Sequence, residues 1–136
     1  MTDTMTLEIV TPEATVYSED VQMVTLPAME GQIGVLPHHV PLLTQVVPGE
    51  MIVRSHGQET FVAIGDGLVL VTGDRVSIVT DMAVAAASID EAKAEDARRR
   101  AEARLRDKIS DEEVASVNAA LARSLAQLRV KRRRRV

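Results

Sequence analysis

A chain of 136 residues, 46% hydrophobic and 1% aromatic, has room for one small domain and an appendage; with Tyr17 and Phe61 its only aromatic residues, its core must be aliphatic. It contains no cysteine, which excludes disulfides, thiolate metal sites and a thiol nucleophile. The net charge of −4 divides unevenly: residues 1–85 hold 11 acids against Arg54 and Arg75, a net −9, while residues 86–136 hold nine acids against 14 bases, a net +5, which points to two parts with different partners.

The opening MTDTMTLEIV lacks a basic stretch and a long apolar run, so it does not read as a signal peptide. No segment approaches the length of a membrane span, so no direct membrane insertion is expected. From LEIVTP to RVSIVTD the chain is a series of short β-branched runs. Gly, Pro and Asp punctuate them at roughly eight- to twelve-residue intervals, the spacing of an all-β sandwich or barrel. Ser55-His56-Gly57-Gln58 reads as a hairpin turn, and Gly65-Asp66-Gly67 and Gly73-Asp74 as two more. GDG also suggests a phosphate loop, but no helical pattern follows it.

Near Ala83 the period changes. AVAAASIDEAKAEDARRRAEARLRDKI has no Gly or Pro and is rich in helix formers. Ser88 and Glu91 predict a capping box at the start of one helix, with Asp90 in its first turn; Ser110 and Glu113 predict a second box. Ile89, Ala97, Ala101, Leu105 and Ile109 form the apolar side of the first helix, and Val114, Val117, Leu121, Leu125 and Leu128 a stripe on the second. Together they predict an antiparallel αα-hairpin. Its seam is alanine-rich, and burying alanine releases less free energy than burying leucine. Docking of the hairpin onto the β-part is therefore expected to be weak, as in elements that switch.

The segment EGQIGVLPHHVP, residues 30–41, packs two glycines, two prolines and two histidines into twelve positions. Adjacent strand residues point to opposite faces, zinc takes three or four ligands, and His56 falls in a turn. A metal site on His38 and His39 is therefore not expected. No nucleophile–base pair or phosphate loop stands out, so an enzyme is not expected. The segment instead resembles, with its continuation PLLTQVVPGEM, the signature of the ε subunit family of bacterial and chloroplast F-type ATP synthases, whose mitochondrial counterpart is called δ. LEIVTPEATVYS, GDGLVLVTGDRVSIVTDMA, IDEAKAEDARRRAEARL and LARSLAQLRV resemble further family segments, so the resemblance covers essentially the whole chain.

That resemblance implies an α+β fold: a flattened all-β sandwich of about ten strands over residues 1–85, then a helical hairpin with a basic tail over 86–136. It implies a non-catalytic rotor subunit of a proton-translocating ATP synthase, peripheral on the cytoplasmic face of the bacterial cell membrane. Its docking edge onto the γ subunit and the c-ring loops would include Glu30, Gly31, Gln32, Gly34, His38 and His39, with His38 standing where many relatives have glycine. The resemblance also implies a hairpin able to extend into the α/β catalytic head and inhibit ATP hydrolysis. Arg98, Arg99, Arg100, Arg123 and Arg129, with the tail Lys131–Arg135, are its expected contacts. Ile89, Asp90, Lys93 and Ala94 resemble an ATP-binding motif in which Lys93 replaces arginine, implying regulatory ATP and no other cofactor. A reading of another class is a β-sandwich adaptor whose basic tail binds nucleic acid or anionic membrane. The scarcity of aromatic residues disfavours single-stranded nucleic acid, which is held by stacking.

Overall fold

Short β-branched runs cannot bury themselves alone, and here they pair into one continuous sheet that folds over its own apolar face. A computed structural model describes residues 3–133. The strands are β1 (Met5–Val10), β2 (Thr15–Val21), β3 (Met23–Ala28), β4 (Gly31–Val35), β5 (Leu42–Val46), β6 (Gly49–Ser55), β7 (Gln58–Ile64), β8 (Gly67–Thr72), β9 (Arg75–Thr80) and β10 (Ala83–Ala85). A single 3-10 turn, Ala86–Ser88, leads into helices α1 (Glu91–Leu105) and α2 (Asp111–Arg133).

The strand order is β10-β7-β6-β3-β5-β8-β9-β1-β2, with β4 on the other edge of β3. Pairing is antiparallel except between β1 and β9. Strand β3 pairs with β6 through Met23–Thr25 and with β5 at Ala28, so one edge passes from one half of the sheet to the other. Pro27, which has no N–H to offer, sits in the gap between those pairings. At the far end, the Gln22 N–H donates to Arg54 O (2.8 Å), bringing the end of β2 beside β6 and nearly closing the sandwich. Alternate residues of both halves, among them Leu7, Ile9, Leu26, Met51, Ile64, Val69 and Ile78, meet in one core. The turn between β6 and β7 is His56–Gly57, with φ of 53° and 77°, the pair of left-handed residues that a two-residue hairpin of matching twist requires.

The helical hairpin folds back onto this sandwich. Helix α2 lies across β6 and β7, and α1 packs against α2. The seam is a second, smaller cluster: Ala63, Ala86, Ile89, Ala126 and Val130, with Phe61, Met82 and Val84 beside it. Three of its five buried members are alanines.

Residues 83–85, within the expected β-part and before the expected cap, pair with β7 from Val62 to Ile64, so the change of period near Ala83 precedes the first helix by one short strand. Two helix expectations need correction. The cap of α1 is Asp90, not Ser88: Asp90 has extended backbone and its Oδ1 accepts from the Lys93 N–H (3.1 Å). Leu125, placed on the α2 stripe, is 47% exposed, whereas Ser124, Ala126, Leu128 and Val130 are buried. Helix α2 is covered on two sides, by the sheet and by α1, so its buried arc is displaced from the stripe that periodicity marks. The Ser110 cap is present, its Oγ accepting from the Glu113 N–H (3.2 Å).

Candidate docking site

Segment 30–41 is less a loop than an edge strand with a turn at each end. Ala28 pairs with Gly31 across the tip Met29–Glu30, and β4 then runs along β3. Gly31 has φ of 123°, a conformation that favours glycine. Gly34 lies within β4, outside the left-handed region, and an added Cβ would meet only the mobile end of Met23 at 3.3 Å. Of the two glycines in this segment, only Gly31 takes left-handed backbone. After β4 the chain turns at Pro37–His38. His38 takes φ of 69°, which explains why glycine suits this position.

The six residues of the expected edge do not form one cluster. His38 and His39 border one end of β5 and β8: the His38 N–H donates to Gly73 O (2.6 Å). Glu30–Gly31–Gln32 borders the other end, where the Met29 N–H donates to Gln45 O (3.1 Å). His38 Nε2 lies 3.3 Å from an Asp3 oxygen, an ion pair only when the imidazole is protonated. His39 Nδ1 lies 2.7 Å from Val40 O.

Between these two ends lies a surface that sequence reasoning missed. On the outer face of β5, β8 and β9, Leu43 pairs with Leu70 and Leu68 with Val79, and Val79 adjoins Val10 of β1. Leu43, Leu68, Leu70 and Val79 are all exposed, Leu43 at 66%. Arg75 and Glu8 form a charged rim at the polar end (3.1 Å). Outer sandwich faces normally alternate to polar residues. Leu68-Val69-Leu70-Val71 has no polar phase, and that was the available signal: Val69 and Val71 fill the core while the leucines face out. A contiguous apolar face rimmed by polar groups marks an interaction surface.

The expected cations of the hairpin are largely engaged by its own acids. Arg98 bonds Glu95 and Glu102, Arg99 reaches Glu95 (3.4 Å) and Arg100 Asp96 (3.5 Å), all within α1. Arg123 ties α2 to Asp81 (3.3 Å). In the tail, Lys131 Nζ donates to Ala86 O (3.2 Å), Arg132 to Glu91 and Glu95, and Arg133 pairs with Glu50 (2.9 Å). Arg134 and Arg135 lie outside the described residues. Arg129 makes no ion pair among the described residues.

Of the nucleotide-motif residues, Lys93 and Ala94 line a cleft between the helices with Asp96, Ala97, Arg100, Ser124 and Gln127. Asp90 is occupied as the helix cap, and Ile89 is buried against the sheet. Among the described residues no group of three or more His, Asp or Glu side chains is placed to hold a metal ion, and no helix is long and apolar enough to cross a membrane.

Residues 4–86 match the β-sandwich domain of the ATP synthase delta/epsilon chain, and residues 88–132 match its long α-helix domain. The chain is 45% identical to the ATP synthase epsilon chain of Herpetosiphon aurantiacus over 129 residues, 95% of each chain. It is 41% identical to that of Laribacter hongkongensis over 128 residues, 93% of this chain and 91% of the relative. Among solved structures it is similar to a chain of the Euglena gracilis mitochondrial ATP synthase, in an assembly of OSCP, F1 and c-ring. The TM-score is 0.74 and the identity 25%, over 88% of this chain and 76% of that one. The fold also matches a chain of the Tetrahymena thermophila mitochondrial ATP synthase, from its central stalk and c-ring, with TM-score 0.56 and 13% identity over 99% and 98% of the two chains.

Proposed function

We infer the working of this chain from one premise: it belongs to the ATP synthase delta/epsilon chain family and is a central-stalk subunit of the rotor. As such it is a coupling part, without a catalytic site of its own, in a proton-translocating enzyme, held peripherally at the cytoplasmic face of the bacterial cell membrane by the complex. The γ subunit covers the apolar face of β5, β8 and β9 together with the His38–His39 turn. The tip Glu30–Gly31–Gln32 meets the polar loops of the c-ring. The single observation behind this assignment is that face: Leu43, Leu68, Leu70 and Val79 are exposed side by side, and each would contribute up to about 1.5–3 kcal/mol if fully covered. Rotation is transmitted because the face belongs to a stiff sheet whose opposite side is the protein core.

The helical hairpin is the regulatory part. It rests on β6 and β7 in this structure, and its weak seam suits an element that leaves to inhibit ATP hydrolysis in the catalytic head. Regulatory ATP would bind in the cleft between α1 and α2 beside Lys93 and Ala94, where it would hold the helices together. The adaptor reading is not favoured, since Lys131, Arg132 and Arg133 are engaged by the chain itself.

The test is binding of the full chain to purified γ. Leu43→Asp with Leu70→Asp, in a variant with an unchanged strand signature, should weaken the Kd at least about tenfold, the ratio that about 1.4 kcal/mol supplies. Unchanged affinity would remove this face from the rotor interface.

A further inference from the structure

Glu50 is a carboxylate in the wrong place for a sandwich exterior. It sits on the outer face of β6, opposite Ala63 of β7, and is only 5% exposed because α2 covers it. One oxygen is 2.9 Å from Arg133 Nη2; the other has no hydrogen-bond partner among the described residues. The Arg133 guanidinium also stands over the Phe61 ring, 5.6 Å from its centre. The seam this pair belongs to is Ala63, Ala86, Ile89, Ala126 and Val130 with Phe61, Met82 and Val84 beside it, and its other polar ties, Arg123 to Asp81 and Lys131 to Ala86 O, leave no buried charge behind when they part. Arg129 and Arg133 line the same cleft as Gly31 and Gln32, so the end of α2 reaches the tip already assigned to docking.

We propose that Glu50 and Arg133 form the latch that decides whether the helical hairpin is docked, and that this latch sets the register of α2 on the sheet. The proposal rests on the reading that the hairpin leaves the sheet. A buried carboxylate is tolerable only with its counter-ion, and removing one partner costs far more than replacing both by apolar groups. The two halves are unequal. Arg133 is half exposed and can turn to water when Glu50 is lost, whereas Glu50 cannot leave its strand when Arg133 is lost. Undocking α2 relieves that orphaned charge by exposing it to solvent. Loss of Arg133 should therefore open the hairpin more than loss of Glu50, an asymmetry that plain packing does not predict. Because the latch lies beside Gly31 and Gln32, contact at that tip and release of α2 would be read in one cleft.

The chain has no cysteine, so Gln58→Cys on the sheet and Ser116→Cys on α2 accept one spin label each in the full-length protein. Distance distributions then separate docked from undocked molecules. Arg133→Met should raise the undocked population about tenfold or more, Glu50→Met by less, and the double variant should fall below Arg133→Met alone. Ala126→Glu, which forces a charge into the seam, is the positive control for release, and the strand signature of the circular dichroism spectrum reports that the sandwich is intact. Arg133→Met and Glu50→Met distributions that match the wild type while Ala126→Glu opens would overturn the latch and leave the moving hairpin standing. If Ala126→Glu also stays closed with an intact sandwich, the moving hairpin fails and the latch with it.

Discussion

At Gly67 a methyl group has nowhere to go. A Cβ built there would lie 1.9 Å from Val79 O and 2.8 Å from the Thr80 Cα, so β8 can approach β9 only with glycine at this position. Gly67→Ala should therefore destabilise the domain by about 1–3 kcal/mol, as overpacking does. Gly73→Ala, where a Cβ meets nothing within 4 Å, should stay within about 0.5 kcal/mol. Urea unfolding of both variants is the measurement, and equal midpoints would show that β8 and β9 can part at little cost. The GDG turn is thus a packing device: its carbonyls serve the protein itself, Asp66 O accepting from Thr80 Oγ1 at 2.9 Å. His38 shows the opposite case, a side chain kept in left-handed backbone, where the turn and not the residue dictates φ.

Among the elements, α1 and α2 are joined by ion pairs as well as by packing, with Ala94 and Ala101 of α1 buried. Glu95 accepts from Arg98 on its own helix and from Arg132 on α2 (2.8 Å). The Arg98 hydrogen bond lowers its carboxyl most, burial opposes that, and Arg132 lowers it further, taking it from 4.5 to about 2. The folded value lies below the unfolded one, so the stabilisation is complete above about pH 4.5 and is lost as pH falls through about 2. Both the Glu95–Arg98 pair within α1 and the Glu95–Arg132 tie to α2 should weaken across that window, and Glu95→Gln should flatten the dependence. Thermal melts of the helical signal between pH 2 and 6 would report it, alongside the NMR titration of the Glu95 carboxyl. A Glu95 midpoint at the ordinary value would mean that the arginines do not hold it. The sequence placed acids and bases along the helices but could not say that Arg132 would close onto Glu91 and Glu95, some forty positions away.

For the whole molecule, movement of the hairpin would separate the cations into two groups. Arg98, Arg99 and Arg100 keep their α1 partners wherever the hairpin goes, because those pairs lie within one helix. Arg129 is exposed on α2 and makes no ion pair among the described residues, so its charge is available to a partner in any position. If the extended hairpin restrains the catalytic head through its basic face, Arg129→Gln should raise ATP hydrolysis of reassembled complexes by up to about fivefold, the factor that one exposed pair of about 1 kcal/mol can supply. Arg100→Gln should change it little, and the Arg129 effect should shrink with added salt. Equal activities at equal subunit occupancy would place the restraint elsewhere on the hairpin.

The sequence by itself determined what local chemistry controls. The alternating runs, the His56–Gly57 turn, the Ser110 cap and the switch to helix formers all follow from the conformations their residues prefer and from which side chains share a face. The long Gly/Pro/His segment carried the family, because turn residues at fixed spacing are specific. Periodicity says which residues share a face but not what covers it, and only the tertiary structure decided that. It buried Glu50 beneath α2 and left Leu43, Leu68 and Leu70 in the open. It paired residues 83–85 with β7, and it set the cap of α1 at Asp90 instead of Ser88. Except for the cap, a local choice between two residues that both suit an N-cap, the physical reason is shared: the free energy of a side chain or a backbone segment depends on whether a partner arrives from a distant part of the chain, and that is decided by the packing of the whole.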